Sequence, residues 1–330
     1  PLIKEIADIS TRTSFVFVNF DADTTVSIQG NTILWDAIQS VGSFEMRGRR
    51  SKGLAGSIGH KIRIVPWLIK LVLKALLGGA VFLHFKELNA WPLRLLGILA
   101  HSRTIYCEST AIGYAPLEKL VSEQMRDRNY DTACPTGDTL IAFSEHWEAL
   151  KDPRLQGRSV FQVPPPFSRR HWIDWLAASG ASYFEREFRD AGIAPSKEII
   201  PYMLCWMGPN NQTRHPEMYP ELFDETLGIL SETCGHLPIF IKPHPVDIGN
   251  EKALQNLRAI IARHKNLQVV ITALHPVLLA QRARLIIANT YTTSFSAPKF
   301  LGLDTIEYSD YRDEILETTA YQSMRPDMVS

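Results

Sequence analysis

One short segment of the sequence places a lysine, a histidine and two prolines where a buried strand is expected to end. The apolar run that starts at residue 238 is followed by Lys242-Pro243-His244-Pro245. The prolines restrict the backbone on both sides of His244, so both basic side chains would be held at the strand exit. A cation and an imidazole in this arrangement suit a phosphate or a leaving diphosphate. The competing interpretation is structural: His244 caps a neighbouring carbonyl group.

A second segment, residues 285–296, is typical of a buried strand that runs into a hydroxyl-rich turn and then a helix. Free N–H groups at the start of that helix, beside the hydroxyls of Thr293 and Ser294, would form an anion site without a lysine. Ser296 belongs to the same turn. We expect this turn to bind a second face of the same phosphate, although Thr and Ser are as typical of simple helix N-caps.

A third, weaker pattern follows the strand predicted at 199–206. Gly208 permits close approach of the backbone to a ligand, and Asn210 and Arg214 would reach a donor across a cleft. A loop without any binding role fits the same residues.

Carboxylates that follow strands of the first half are candidates for the general base that would deprotonate an acceptor hydroxyl. Asp21 and Asp23, directly after the strand predicted at 14–20, are the leading candidates. An Asp turn that caps the next element is the competing interpretation. Three further residues at strand exits are held in reserve for the same role: Glu108, Glu145 and His146.

Charge and motif content exclude several other functions. Lys plus Arg and Asp plus Glu both number 35, so no overall field draws the chain to nucleic acid. No P-loop or dinucleotide fingerprint occurs, and the histidines are scattered without metal-ligand spacing. The pair Asp21/Asp23 would suit Mg²⁺ and a diphosphate, but it lies in the half that lacks the phosphate motifs. We therefore expect neither a metal nor a cofactor.

The elements that must position these residues alternate along the chain as short apolar runs and helical patterns, which is typical of βαβ units and parallel sheets. The strands are predicted at 14–20, 80–85, 104–108, 139–144, 199–206, 237–242, 267–272, 285–288 and 305–308. The helices are predicted at 32–41, 66–77, 92–100, 116–126, 170–191, 219–233, 251–264, 276–284 and 294–301.

The length of 330 residues predicts two domains, and the proline run at 164–166 predicts the boundary between them. We expect an α/β protein of two Rossmann-like, doubly wound domains. Residues 1–165 would form the first domain, and residues 166–330 the second. Such domains place their strand ends around one crevice, where ligands bind.

Membrane and redox features point to a cytoplasmic protein. Four cysteines are too few for a disulfide scaffold, and no signal peptide is visible. The apolar stretch 64–85 is interrupted by proline, lysine and glycine, so it does not predict a transmembrane helix. Basic residues at 47–63 lead into an apolar helix that ends at residue 77. The segment 47–77 would rest on anionic lipid at the inner face of the membrane or grip an anionic polymer; a solvated loop before a core helix explains the same pattern.

With these motifs, residues 199–308 resemble the donor domain of GT-B-fold transferases. The resemblance implies that the domain 166–330 binds a nucleotide donor and that the domain 1–165 forms the acceptor side. They are most similar to bacterial surface-polysaccharide enzymes in which one strand ends in Lys-Pro-His-Pro and a later strand enters a Ser/Thr-rich turn. These families are the capsule Kdo transferases, the sialyl- and polysialyltransferases and the CDP-glycerol glycerophosphotransferases. The resemblance implies a cytidine-nucleotide donor whose phosphate contacts His244 and the paired hydroxyls of Thr293 and Ser294.

The chain departs from this family pattern at one position. Several of these families carry an acidic residue on the donor ribose, just before the penultimate helix. The corresponding residues 273–277 of this chain contain no acid. Asp247 or Glu307 would have to take that role.

The sequence therefore predicts a GT-B glycosyltransferase. It would move a sugar from a CMP- or CDP-linked donor to a surface-polysaccharide or glycolipid acceptor, and domain closure would exclude water. Three alternatives remain. A nucleotide-sugar 2-epimerase needs no separate acceptor, a CDP-glycerol-type glycerophosphotransferase transfers a different group, and a degenerate transferase only binds a glycan or a partner.

Overall fold

The computed structural model describes residues 2–10, 13–20, 25, 28–47, 54–84, 93–107, 137–142, 157–163, 169–205, 218–248, 250–289 and 301–309. The chain forms two compact units. One is Arg47–Pro166, and the other combines Pro1–Met46 with Phe167–Ser330. The break after Pro166 lies beside the predicted boundary. Residues 1–46 group with the carboxyl-terminal unit, however, which corrects the predicted assignment of all of 1–165 to one domain.

The elements of the described residues are as follows. The strands are β1 (Phe15–Asn19), β2 (Gly42–Met46), β3 (Phe82–His84), β4 (Thr104–Cys107), β5 (Thr139–Ala142), β6 (Ser159–Gln162), β7 (Ile200–Met203), β8 (Ile239–Lys242), β9 (Val269–Ile271), β10 (Ile286–Ala288) and β11 (Thr305–Glu307). The helices are α1 (Leu2–Ile9), α2 (Thr32–Val41), α3 (Leu54–Leu76), α4 (Arg94–Leu99), α5 (Arg170–Asp190), α6 (Tyr219–Thr233), α7 (Pro245–Ile248), α8 (Glu251–Ile261) and α9 (Pro276–Ala280).

Each predicted strand contains an observed strand, whereas β2 and β6 were not predicted. Helix α3 begins at Leu54 rather than at residue 66, so part of the basic stretch is helical instead of a loop. Helices α1 and α7 were also missed. The helix predicted at 116–126 lies outside the described residues, and so does the one at 294–301 apart from Leu301, which is in a turn.

The carboxyl-terminal unit is built on a parallel sheet with the strand order β11-β10-β7-β8-β9. The chain runs from β7 through β8 to β9 on one side and then places β10 and β11 on the other. The order therefore reverses between β7 and β10, and ligands of doubly wound sheets bind at this switch point. Strands β7, β8 and β10 are buried along their whole length, as expected where helices cover both faces of a parallel sheet.

Helix α2 explains why residues 1–46 belong to this unit. Its Ile33 and Ala37 lie in the same hydrophobic cluster as Trp172 and Phe184 of α5. The Tyr183 hydroxyl donates a hydrogen bond to Asp36 (2.5 Å), and Arg186 donates one to the Thr32 hydroxyl. These contacts join positions about 150 residues apart, which no local pattern reveals.

The unit Arg47–Pro166, called the amino-terminal unit below, contains a second parallel sheet with the strands in sequence order, β3-β4-β5-β6. Strand β6 is an edge strand, and all four of its residues are exposed. It therefore lacks the apolar run by which the other strands were predicted. No helix among the described residues has both the length and the apolarity needed to cross a membrane.

Candidate functional site

The ends of β8 and β9 bring three basic side chains together. Lys242 is the last residue of β8, and its side chain is almost fully buried, with 8% exposure. Burial lowers the pKa of Lys242 from 10.5 to about 8. Its positive charge in turn adds to the effect of burial in lowering the pKa of His244 and the pKa of His275. None of the ion pairs in the described part of the chain includes Lys242, so this buried cation is not neutralised by a carboxylate there.

His244 lies where β8 passes into α7. Its backbone carbonyl accepts hydrogen bonds from the N–H groups of Asp247 (2.8 Å) and Ile248 (3.2 Å), which fixes the chain at this point. Burial, followed by the charge of Lys242, lowers the pKa of His244. The imidazole is therefore neutral at pH 7, with one nitrogen that donates and one that accepts. Beside a buried ammonium, such a ring can donate a hydrogen bond to an anion without adding a charge.

His275 is a site residue that the sequence analysis missed. Its Nδ1 accepts a hydrogen bond from the Val277 N–H (3.2 Å) and so caps α9. The proton of the neutral ring is then on Nε2. Burial and the charge of Lys242 lower the pKa of His275 to about 3. The ring of Trp172 packs edge-on against the His275 ring, with 5.5 Å between the two ring centres.

A sequence pattern marks His275, because His-Pro-Val occurs twice. Residues 244–246 follow β8 and residues 275–277 follow β9, and in both cases a helix begins at the proline. Residues 273–277 had attracted notice only because they contain no acid. The repeat places two histidines at adjacent strand ends.

A buried polar network holds the other side of the switch point. The Tyr202 hydroxyl of β7 donates to Asn289 Oδ1, directly after β10. Asn289 Nδ2 donates to the Thr226 hydroxyl (2.9 Å) and to the Tyr308 carbonyl (3.2 Å). Asn289 is fully buried, and its bonds to Tyr202 and Thr226 form away from water, whereas the bond to the Tyr308 carbonyl is only partly buried. The network fixes the position of Asn289 at the end of β10, and Asn289 was not among the predicted site residues.

Of the predicted donor-site residues, the structure brings Lys242 and His244 together. The other predicted donor-site residues lie outside the described residues, and their roles remain predictions: Gly208, Asn210, Arg214, Thr293, Ser294 and Ser296. The same holds for the candidates for the general base: Asp21, Asp23, Glu108, Glu145 and His146. The second phosphate contact and the general base are therefore both among these predictions.

The two proposed substitutes for the ribose carboxylate differ in position. Glu307 ends β11, and the register places it in one row with Ala288, Met203 and Lys242. Three strand spacings separate it from Lys242, about 14 Å, so Glu307 does not join the basic cluster. Asp247 is buried, one helical turn beyond His244. It lies near Tyr219, whose pKa is raised mainly by burial and to a small extent by the charge of Asp247. A contact of either carboxylate with the donor ribose remains a prediction.

Within the described residues, no three His, Cys, Asp or Glu side chains lie close enough to hold a metal ion. The basic cluster instead has the chemistry of an anion site: an ammonium and two neutral imidazoles.

The fold resembles that of nucleotide-sugar enzymes. No protein-family model matches the chain, and a search of curated protein sequences finds no match. Among solved structures, UDP-GlcNAc 2-epimerase from Neisseria meningitidis, bound to UDP-GlcNAc, has a TM-score of 0.54 at 8% identity and covers 89% of this chain and 82% of its own. The UDP-GlcNAc 2-epimerase of Methanocaldococcus jannaschii has a TM-score of 0.47 at 13% identity, covering 93% and 88%.

A plant protein is also similar. Medicago truncatula UGT71G1, complexed with UDP-glucose, has a TM-score of 0.45 at 11% identity and covers 98% of this chain and 78% of its own. At such low identities the similarity concerns the fold alone. The predicted fold class is confirmed: the chain is an α/β protein of the GT-B type with parallel sheets.

Proposed function

We propose that this chain is a glycosyltransferase that moves a sugar from a nucleotide-activated donor, CMP- or CDP-linked, to a surface-polysaccharide or glycolipid acceptor. One observation supports it most strongly. Lys242 is a buried cation without a carboxylate partner in the described residues, and it lies at the strand ends of a doubly wound sheet. Burial of an uncompensated charge is costly, and a bound phosphate would offset this cost.

The chemistry of transfer makes use of that charge. As the bond between the anomeric carbon and the phosphate oxygen breaks, the electron pair passes to the leaving nucleotide. Lys242 would stabilise the growing negative charge, and the neutral His244 would donate a hydrogen bond to it. A preorganised donor in a water-poor site is worth roughly a hundredfold to a thousandfold in rate.

The acceptor side rests on the carboxylates predicted from the sequence. An acceptor hydroxyl would attack the anomeric carbon while a base removes its proton. Asp21 and Asp23 remain the leading candidates for this base, and Glu108, Glu145 and His146 remain in reserve. A transferase with two substrates needs both an anion site for the leaving nucleotide and a base for the acceptor hydroxyl.

A nucleotide-sugar 2-epimerase is the second candidate. It is favoured by the likeness of the fold to the Neisseria meningitidis epimerase, whose structure holds UDP-GlcNAc. Such an enzyme would use the same basic cluster to bind the nucleotide but would need no acceptor. The acceptor requirement therefore separates the two candidates.

The experiment is a turnover assay with CMP-, CDP- and UDP-linked sugars, each with and without glycan acceptors. The proposal predicts nucleotide release that depends on the acceptor, with a loss of about a hundredfold in Lys242→Met. Lys252→Met, which changes an exposed lysine of α8, serves as the matched control and should retain full activity. A sugar isomer formed without acceptor would establish the epimerase instead, and no turnover with any donor would contradict both.

A further inference from the structure

Helix α3 carries two apolar faces, and the protein covers only one of them. Ile64, Leu68 and Ala75 are buried in the amino-terminal unit. A second set of large apolar side chains on the same helix and the residue after it is exposed to solvent: Val65, Ile69, Leu73, Leu76 and Leu77. Leu73 is 55% exposed and Leu77 is 86% exposed. The spacing of four residues from 65 to 73 places these side chains in one stripe.

An exposed apolar stripe of this length is unusual for a surface helix. A helix that packs on a globular core normally presents polar residues on its opposite face. Contiguous apolar surface of this kind marks a site of interaction. We name the five exposed residues Val65, Ile69, Leu73, Leu76 and Leu77 the α3 stripe.

The α3 stripe is bordered by positive charge. Lys70 and Lys74 each follow a stripe residue by one position, and both are exposed. The Arg47 guanidinium lies over the ring of Trp67 on the same helix, 5.5 Å from its centre. Residues 47–77 contain eight Lys and Arg and no Asp or Glu, although the whole chain has no net charge. The positive charge is therefore concentrated in this part of the sequence.

We propose that the α3 stripe and its lysines dock on an anionic lipid bilayer, with α3 lying in the plane of the interface. Apolar side chains that enter the boundary between headgroups and acyl chains leave water, and lysines beside them meet anionic headgroups. A soluble polyanion would bind the lysines, but it would not remove Ile69 or Leu73 from water. The combination of both features favours the membrane over a polymer.

The test is co-sedimentation of the full chain with phosphatidylcholine vesicles, with and without phosphatidylglycerol, in the absence of nucleotide and acceptor. It is therefore independent of the proposed enzymatic function. The parent protein should bind the anionic vesicles and bind the neutral ones far less. Ile69→Gln with Leu73→Gln should weaken binding about tenfold or more. Lys70→Gln with Lys74→Gln should weaken it by roughly fivefold per lysine, and less at high salt.

Matched controls come from the other unit. Ile229 of α6 is an apolar helix residue of 47% exposure, and Lys252 and Lys265 are exposed lysines. Ile229→Gln and the pair Lys252→Gln with Lys265→Gln should bind vesicles as the parent does. All variants should keep the melting temperature of the parent. If the double variant Ile69→Gln with Leu73→Gln melts at a lower temperature, the double variant Ile69→Ala with Leu73→Ala repeats the test, because Ala is a better helix former than Gln.

Three results would overturn the proposal. The first is that both double variants at Ile69 and Leu73, the Gln pair and the Ala pair, bind vesicles as strongly as the parent does. The second is binding to heparin, but not to vesicles, that depends on Lys70 and Lys74 and not on Leu73. The third is dimerisation without lipid that Leu73→Gln abolishes, because the stripe would then be covered by a second copy.

Discussion

Lys242 ends strand β8, and His275 follows the neighbouring parallel strand β9 by four residues; burial lowers the pKa of both side chains and so favours their uncharged forms. The charge of Lys242 adds to the effect on His275. With His244, the cluster holds three basic groups, and none of the carboxylate ion pairs in the described residues reaches Lys242. Burial of the Lys242 charge therefore carries an electrostatic cost that a bound anion would relieve.

Replacing Lys242 should stabilise the free protein. The folded-state pKa of about 8 is below the unfolded value of 10.5, so the charged form is disfavoured by about 3 kcal/mol at pH 7. We expect Lys242→Met to raise the free energy of unfolding in urea at pH 7 by up to that amount, while Lys252→Met changes it by less than about 0.5 kcal/mol. A less stable Lys242→Met would mean that the ammonium has a stabilising partner.

The stability of the free parent protein should rise with pH above 8. The unfolded chain binds more protons than the folded one between about pH 8 and pH 10.5, so unfolding becomes harder across that window. Lys242→Met should lose this rise. Urea unfolding at pH 8 and pH 10 measures the difference, and parallel slopes in the two proteins would refute the assignment.

Acid should destabilise the protein through His275. Its pKa of about 3 is below the unfolded value of 6.5, so the unfolded chain takes up the proton first as the pH falls. The parent should lose about 2 kcal/mol between pH 6.5 and pH 5 from this group. Asn is a good N-cap, so His275→Asn should keep the hydrogen bond to Val277 and lose less stability in acid. An unchanged pH dependence would show that His275 is already solvated.

Tyr202 and Asn289 should behave as one unit. Tyr202→Phe and Asn289→Ala each leave buried polar groups unsatisfied, at a cost of about 1–3 kcal/mol. The double variant should cost less than the sum, because both changes remove the same hydrogen bond. Thr233→Ala removes an exposed hydroxyl bond to the Ile229 carbonyl and should cost little. Additive losses in urea unfolding would contradict the network.

The strands were predictable from the sequence because parallel strands buried on both faces are continuous apolar runs, as in β7 and β8. Strand β2, with the sequence GSFEM, lacks such a run, and within the described residues it pairs with β1 alone. Lys242 and His244 were found because their motif is local. The partner of Tyr202 was not, because Asn289 is 87 residues away and becomes its neighbour only through the strand order.

The central claim, that Lys242 and His244 bind the phosphate of a nucleotide, is tested most directly by thermal shift. CMP, CDP, UDP, CMP-sugars and UDP-sugars are each added to the parent, Lys242→Met, His244→Ala and the control Lys252→Met. We predict that at least one nucleotide raises the melting temperature of the parent and the control, as expected for a ligand that binds only the folded state. The same nucleotide should lose most of its effect in both site variants. An equal shift in all four proteins, or no shift with any nucleotide, would contradict the account.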